Sequence, residues 1–108
     1  MIKAVFFRKN GRLSGFDISG HADYADSGTD IVCASVSAAA QLTANTITDF
    51  FCCNAQVAVD NNRLSLMLKN GEKDCDLSAE KLLESLYTHL EFISEDFPDT
   101  VDLRLKEG

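Results

Sequence analysis

The sequence predicts a single α/β domain over residues 1–108, with a mixed five-stranded sheet and two helices in the order ββαββαβ. Three observations carry this. Two pairs of short runs with strand composition are each joined by a turn dipeptide. Each pair is followed by a longer run with apolar residues at helical spacing. A last alternating run follows the only proline, Pro98.

The first strand is expected at residues 2–8, "IKAVFFR". Asn10-Gly11 then supplies a hairpin turn, because both residue types tolerate positive φ. In residues 12–19, "RLSGFDIS", Leu13, Phe16 and Ile18 lie near strand spacing, and the odd step places a bulge at Gly15. Residues 21–29 are rich in Asp, Ser, Gly and Thr and read as a loop. Asp30 is suited to cap a helix over residues 31–51, whose apolar surface would be Val36, Ala39, Ala40, Leu42, Ile47, Phe50 and Phe51.

A second hairpin follows, "AQVAVD" and "RLSLMLK", turning at Asn61-Asn62. Val57 and Val59 alternate on one strand, and Leu64, Leu66 and Leu68 on the other. "NGEKDCD" reads as a loop. Ser78, with Asp76 as a competing cap, would start a helix that ends near Asp96. Leu82, Leu83, Leu86, Leu90 and Ile93 give it one apolar face. "TVDLRLK" is the last strand, with Val101, Leu103 and Leu105 alternating.

Composition narrows the function classes. With 45% hydrophobic residues the chain can build a core, and with 25% charged it should be soluble. A net charge of −7 argues against a general nucleic-acid binder and suits a basic partner. No apolar run is read as a membrane span. The N-terminus lacks the pattern of a secretory signal, so a cytoplasmic location is expected. The four cysteines form no CxxC, so neither a structural metal nor a redox motif is expected, and the core is expected to need no disulfide. Cys52 and Cys53 read as packing residues near a helix end, Cys75 as a loop thiol and His89 as a helix-boundary residue.

The chemistry concentrates in "GHADYADSGTDIVCASVSAAA", residues 20–40. Cys33 is expected in the first turn of the helix, where free N–H groups and the helix dipole favour a thiolate and can hold an oxyanion. His21 precedes a loop long enough to bring its imidazole to that thiol as general base. Gly20 and Gly28 give the loop backbone freedom. Ser37, four residues after Cys33, shares its helical face and can bond substrate or sulfur. Asp30 has two readings, helix cap or third member of a triad. Asp23 and Asp26 are alternative histidine partners or solvated loop residues.

The string Gly20-His21, the loop through Gly28, Asp30-Ile31-Val32-Cys33-Ala34 and Val36-Ser37 resembles the signature of the ribosomal-processing cysteine protease family, Prp or YsxB-like. Chain length and element order resemble the family too. The resemblance implies a cysteine protease with Cys33 as nucleophile, His21 as general base and Ser37 assisting. It implies removal of an N-terminal extension from a large-subunit ribosomal protein, number twenty-seven, after an apolar, aromatic-containing segment. It further implies a homodimer, a glycine loop that moves to admit substrate, and no metal or organic cofactor. A non-catalytic ribosome-associated assembly factor on the same fold is the alternative, against which the intact His21 and Cys33 argue.

Overall fold

The computed structural model describes residues 1–20, 27–69 and 73–107, with the backbone alone at residues 27–30, 73, 74 and 76. Strands β1 (Ile2–Lys9) and β2 (Arg12–Ser19) form an antiparallel hairpin. Its turn is the expected one: Asn10 at φ 55° and Gly11 at φ 78° occupy the left-handed region. The bulge falls one residue earlier than expected. Phe7 pairs with Gly15 and Arg8 with Leu13, which leaves Ser14 unpaired with its hydroxyl donating to the Phe7 carbonyl at 3.2 Å. Gly15 answers a different demand. A Cβ there would sit 2.2 Å from the Leu66 carbonyl oxygen of the neighbouring strand, so only glycine allows this approach.

Helix α1 (Ser27–Asn45) begins four residues before the expected start. Asp30 therefore lies inside the helix rather than at its cap, and Gly28 is helical rather than part of the loop. Cys33 falls in the second turn, not the first. A π-helical turn, α2 (Thr46–Phe50), continues α1 and closes with the Phe51 N–H on the Thr46 carbonyl at 2.8 Å. Three threonine hydroxyls bond back onto the helix around this turn. Thr43, Thr46 and Thr48 donate their hydroxyls to the carbonyls four residues back, at 2.8, 2.7 and 3.0 Å, and such bonds compete with the ordinary ladder.

Strands β3 (Ala55–Asp60) and β4 (Arg63–Leu68) form the second hairpin, and helix α3 (Lys73–Asp96) and β5 (Val101–Glu107) complete the order. Helix α3 starts at Lys73, so Ser78 and Asp76 are interior residues and Cys75 belongs to the helix. The sheet order is β3-β4-β2-β1-β5, with β5 parallel to β1 and the other pairs antiparallel. This is the expected mixed sheet, and its element order is the predicted ββαββαβ.

The core lies between the helices and one sheet face. Ile2, Ala4 and Phe6 of β1, Phe16 and Ile18 of β2, Leu66 of β4 and Val101 of β5 are buried there. Val32, Val36, Ala40, Ala44 and Ile47 meet them from α1 and α2, and Ala79, Leu83, Leu86, Leu90 and Ile93 from α3. Fully burying such a large apolar side chain stabilises by roughly 1.5–3 kcal/mol before entropy is counted. Phe6 stacks edge-on against Tyr87, with centroids 5.2 Å apart. The apolar face expected for the first helix is shifted: Leu42 and Phe50, assigned to it, are 68% and 81% exposed. By length and composition Ile31–Phe50 qualifies as a membrane-crossing helix, contrary to the sequence expectation, and here one of its faces covers the sheet.

The cysteine expectation is also corrected. Cys53 and Cys75 form a disulfide with a Cα–Cα distance of 5.7 Å, which joins the segment after α2 to the first turns of α3. Twenty-two residues separate them in sequence, a relationship that spacing alone does not reveal. His89 is partly buried between the helices, with Nε2 3.2 Å from the Ser35 hydroxyl of α1.

Candidate active site

A cavity of about 700 Å³ opens between α1 and the β3–β4 hairpin. It exists because the helices cover β1, β2 and β5 but stop short of β3. Val57 and Val59 therefore face the helix side of the sheet without a helix over them, and Val59 stays 77% exposed. Cys33, Ser37 and Gln41 line the opposite wall at i, i+4 and i+8, one face of one helix. The far wall is apolar, from Val57, Val59 and Leu64. The hairpin turn, Asp60 to Arg63, closes one side with polar groups.

Cys33 is half-buried and outside any disulfide. Its place in the second turn changes the expected electrostatics. In an α-helix the N–H of residue 33 falls within the hydrogen-bonded ladder, and the dipole effect fades beyond the first turn. Activation by free N–H groups at the helix start is thus not what this geometry offers. Ser37 is exposed, and its Oγ accepts from Gln41 Nε2 at 3.1 Å. That bond holds the hydroxyl on the cavity side and leaves its proton free to donate elsewhere. Gln41 was absent from the residues singled out by sequence. Its i+4 spacing from Ser37 was the available signal.

His21 lies outside the described residues, as do Asp23, Asp26 and the Asp30 side chain. The residue that delivers the chain to His21 is described. Gly20 has φ 88°, and its N–H donates to the Asn62 carbonyl at 2.9 Å. A Cβ on Gly20 would approach the Met1 carbonyl oxygen to 2.9 Å. Gly20 and Asn62 both line the cavity that holds Cys33. Asn62, 42 positions along the chain from Gly20, gave no sequence signal for this role.

The cation at the cavity, Arg63, is paired within the sheet. Arg63 donates to both Asp17 carboxylate oxygens at 2.9 and 2.6 Å, and this hydrogen bonding raises the guanidinium pKa. Among the described residues no cluster of His, Cys, Asp and Glu is arranged to hold a metal ion.

Residues 1–102 match the family described as cysteine protease Prp. A ribosomal processing cysteine protease Prp of Staphylococcus aureus (strain Mu50) is 26% identical over 96 residues, which cover 89% of this chain and 90% of that one. The fold is similar to the crystal structure of SMU.848 from Streptococcus mutans, with a TM-score of 0.84, 25% identity, and 100% and 96% of the two chains covered. It is similar also to an essential ribosomal processing protease Prp from S. aureus in complex with a substrate peptide, with a TM-score of 0.83, 22% identity, and 98% and 100% covered.

Proposed function

Because the chain belongs to the cysteine protease Prp family, we propose that it removes an N-terminal extension from a large-subunit ribosomal protein, number twenty-seven, with Cys33 as nucleophile and His21 as general base. The observation that carries this reading is the cavity. It sets a half-buried thiol and a hydrogen-bonded serine on one wall, opposite an apolar wall suited to an apolar peptide segment.

The reaction runs through a thioester. The Cys33 sulfur attacks the scissile carbonyl carbon, and the carbonyl π electrons move onto oxygen. The Ser37 hydroxyl, oriented by Gln41, donates to that oxyanion. His21, having taken the thiol proton, gives it to the departing amine as the C–N bond breaks. It then takes a proton from water, which attacks the thioester and releases Cys33. A relative's name as a ribosomal processing protease supports the substrate class, and the acidic chain suits a basic ribosomal protein. Such a substrate is met in the cytoplasm, and the reading places the protein there. Among the described side chains of α1 none is charged, and the helix exposes Ile31 and Leu42, which supports a homodimer.

The test is cleavage of the organism's own ribosomal protein, made with its native N-terminus, by wild type, Cys33→Ala and His21→Ala. Mass spectrometry reads the products. A single N-terminal cut, lost in both variants, is expected. Cutting that survives Cys33→Ala, or an extension left intact by wild type, would overturn the reading.

A further inference from the structure

The two edges of the sheet are built differently. β5 ends one side with Asp102, Arg104, Lys106 and Glu107, and Arg8 pairs with Glu107 at 2.8 Å. Such charges discourage a further strand from adding on. β3 ends the other side with the sequence AQVAVD. It has no lysine, no proline and a single charge, Asp60, at its turn end. Its valines are β-branched and exposed, Val57 at 38% and Val59 at 77%.

The register shows which backbone groups face outward. Asp60 pairs with Arg63 across the two-residue turn, and the Lys69 N–H donates to the Asn54 carbonyl at 2.9 Å. In an antiparallel pair, hydrogen-bonded and non-bonded residues alternate. Gln56, Ala58 and Asp60 therefore bond to β4. Ala55, Val57 and Val59 turn their N–H and C=O groups away from β4, to the side where no described strand pairs with β3. Val57 and Val59, with Asp60 at the turn end, are also the β3 residues that line the Cys33 cavity.

We propose that the substrate's extended backbone adds to this sheet as a sixth strand, antiparallel or parallel to β3, with Val57 and Val59 as the pairing residues. Alternate side chains of the added strand then point to the helix side, over the apolar wall of the cavity. Main-chain bonds to the edge supply affinity, and the cavity reads the alternate side chains. The proposal rests on the protease reading and names how that site holds its peptide.

The experiment uses a peptide spanning the cleaved junction of the ribosomal protein, bound to the Cys33→Ala protein and followed by fluorescence anisotropy. Single N-methyl groups are placed at successive peptide amides. Pairing to an edge strand predicts that affinity falls at every second amide, by roughly 3- to 10-fold each, and holds between them. Val57→Pro and Val59→Pro in the active protein remove outward donors and leave the β4 ladder intact. They are expected to raise KM by roughly 3- to 10-fold with kcat within about 2-fold. N-methyl losses without alternation, or no binding of the peptide, overturn the proposal. So do proline variants that change the mass in solution and leave KM unmoved, since β3 then pairs with a second copy. The protease reading fails separately, if Cys33→Ala still cuts.

Discussion

The Gly20 N–H is bound to the Asn62 carbonyl at 2.9 Å, so the β3–β4 turn holds the backbone residue that immediately precedes His21. One hairpin thereby serves two ends of the site. Its strand β3 lines the cavity, and its turn anchors the start of the segment that carries the expected base.

Gly20→Ala should be costly for two reasons. The backbone sits at φ 88°, and the new Cβ meets the Met1 carbonyl oxygen at 2.9 Å. A loss of about 1–3 kcal/mol is expected, read as a lower midpoint in urea. Peptide cleavage at a temperature where the variant is folded should fall as well. Wild-type stability would show that the backbone can relax away from the contact.

Gly15→Ala should be worse tolerated than its place on a strand suggests. The added methyl would lie 2.2 Å from the Leu66 carbonyl oxygen and 2.6 Å from the Met67 sulfur. The sulfur is the end of a flexible side chain and can move, but the carbonyl belongs to the β4 ladder. Separating β2 from β4 should cost about 3 kcal/mol, measured by chemical denaturation.

The Cys53–Cys75 bond should be visible and should stabilise. Intact mass is expected to rise by two hydrogens on reduction, and a non-reduced digest should contain the linked peptides. Closing a loop of this length is worth roughly 3 kcal/mol in the chain-entropy account, so Cys75→Ser should lower the thermal midpoint by several degrees. An identical midpoint with and without reductant would contradict this.

Ser37→Ala and Gln41→Ala should not be additive. Gln41 acts through its 3.1 Å bond to Ser37. Each single change is expected to lower kcat by several-fold, and the double variant should be no worse than Ser37→Ala. Additive losses would mean that Gln41 touches substrate on its own.

The sequence was informative where the physics is local. Asn10-Gly11 made the turn that its left-handed tolerance predicts, and Leu83, Leu86, Leu90 and Ile93 lie buried at the spacing that named them. It misled where two local signals competed. Asp30 and Ser78 are both good cap residues, yet both lie inside helices that start earlier, because a capping side chain contributes only about 1 kcal/mol. Hydrophobicity puts Leu42 and Phe50 on the helix's apolar surface, but the direction in which α1 lies on the sheet decides which face is covered.

By itself the sequence determined the element order, the two turn-linked strand pairs, the helical spacing of Cys33 and Ser37, and the motif that places the chain in its family. These depend on neighbours a few residues apart. Only the tertiary structure decided that Val57 and Val59 face Cys33 across a cavity, that Asn62 holds Gly20, and that Cys53 reaches Cys75. Each of these joins residues distant along the chain. Such contacts form only once strand pairing and helix docking have set where each element lies, and no local pattern encodes that placement.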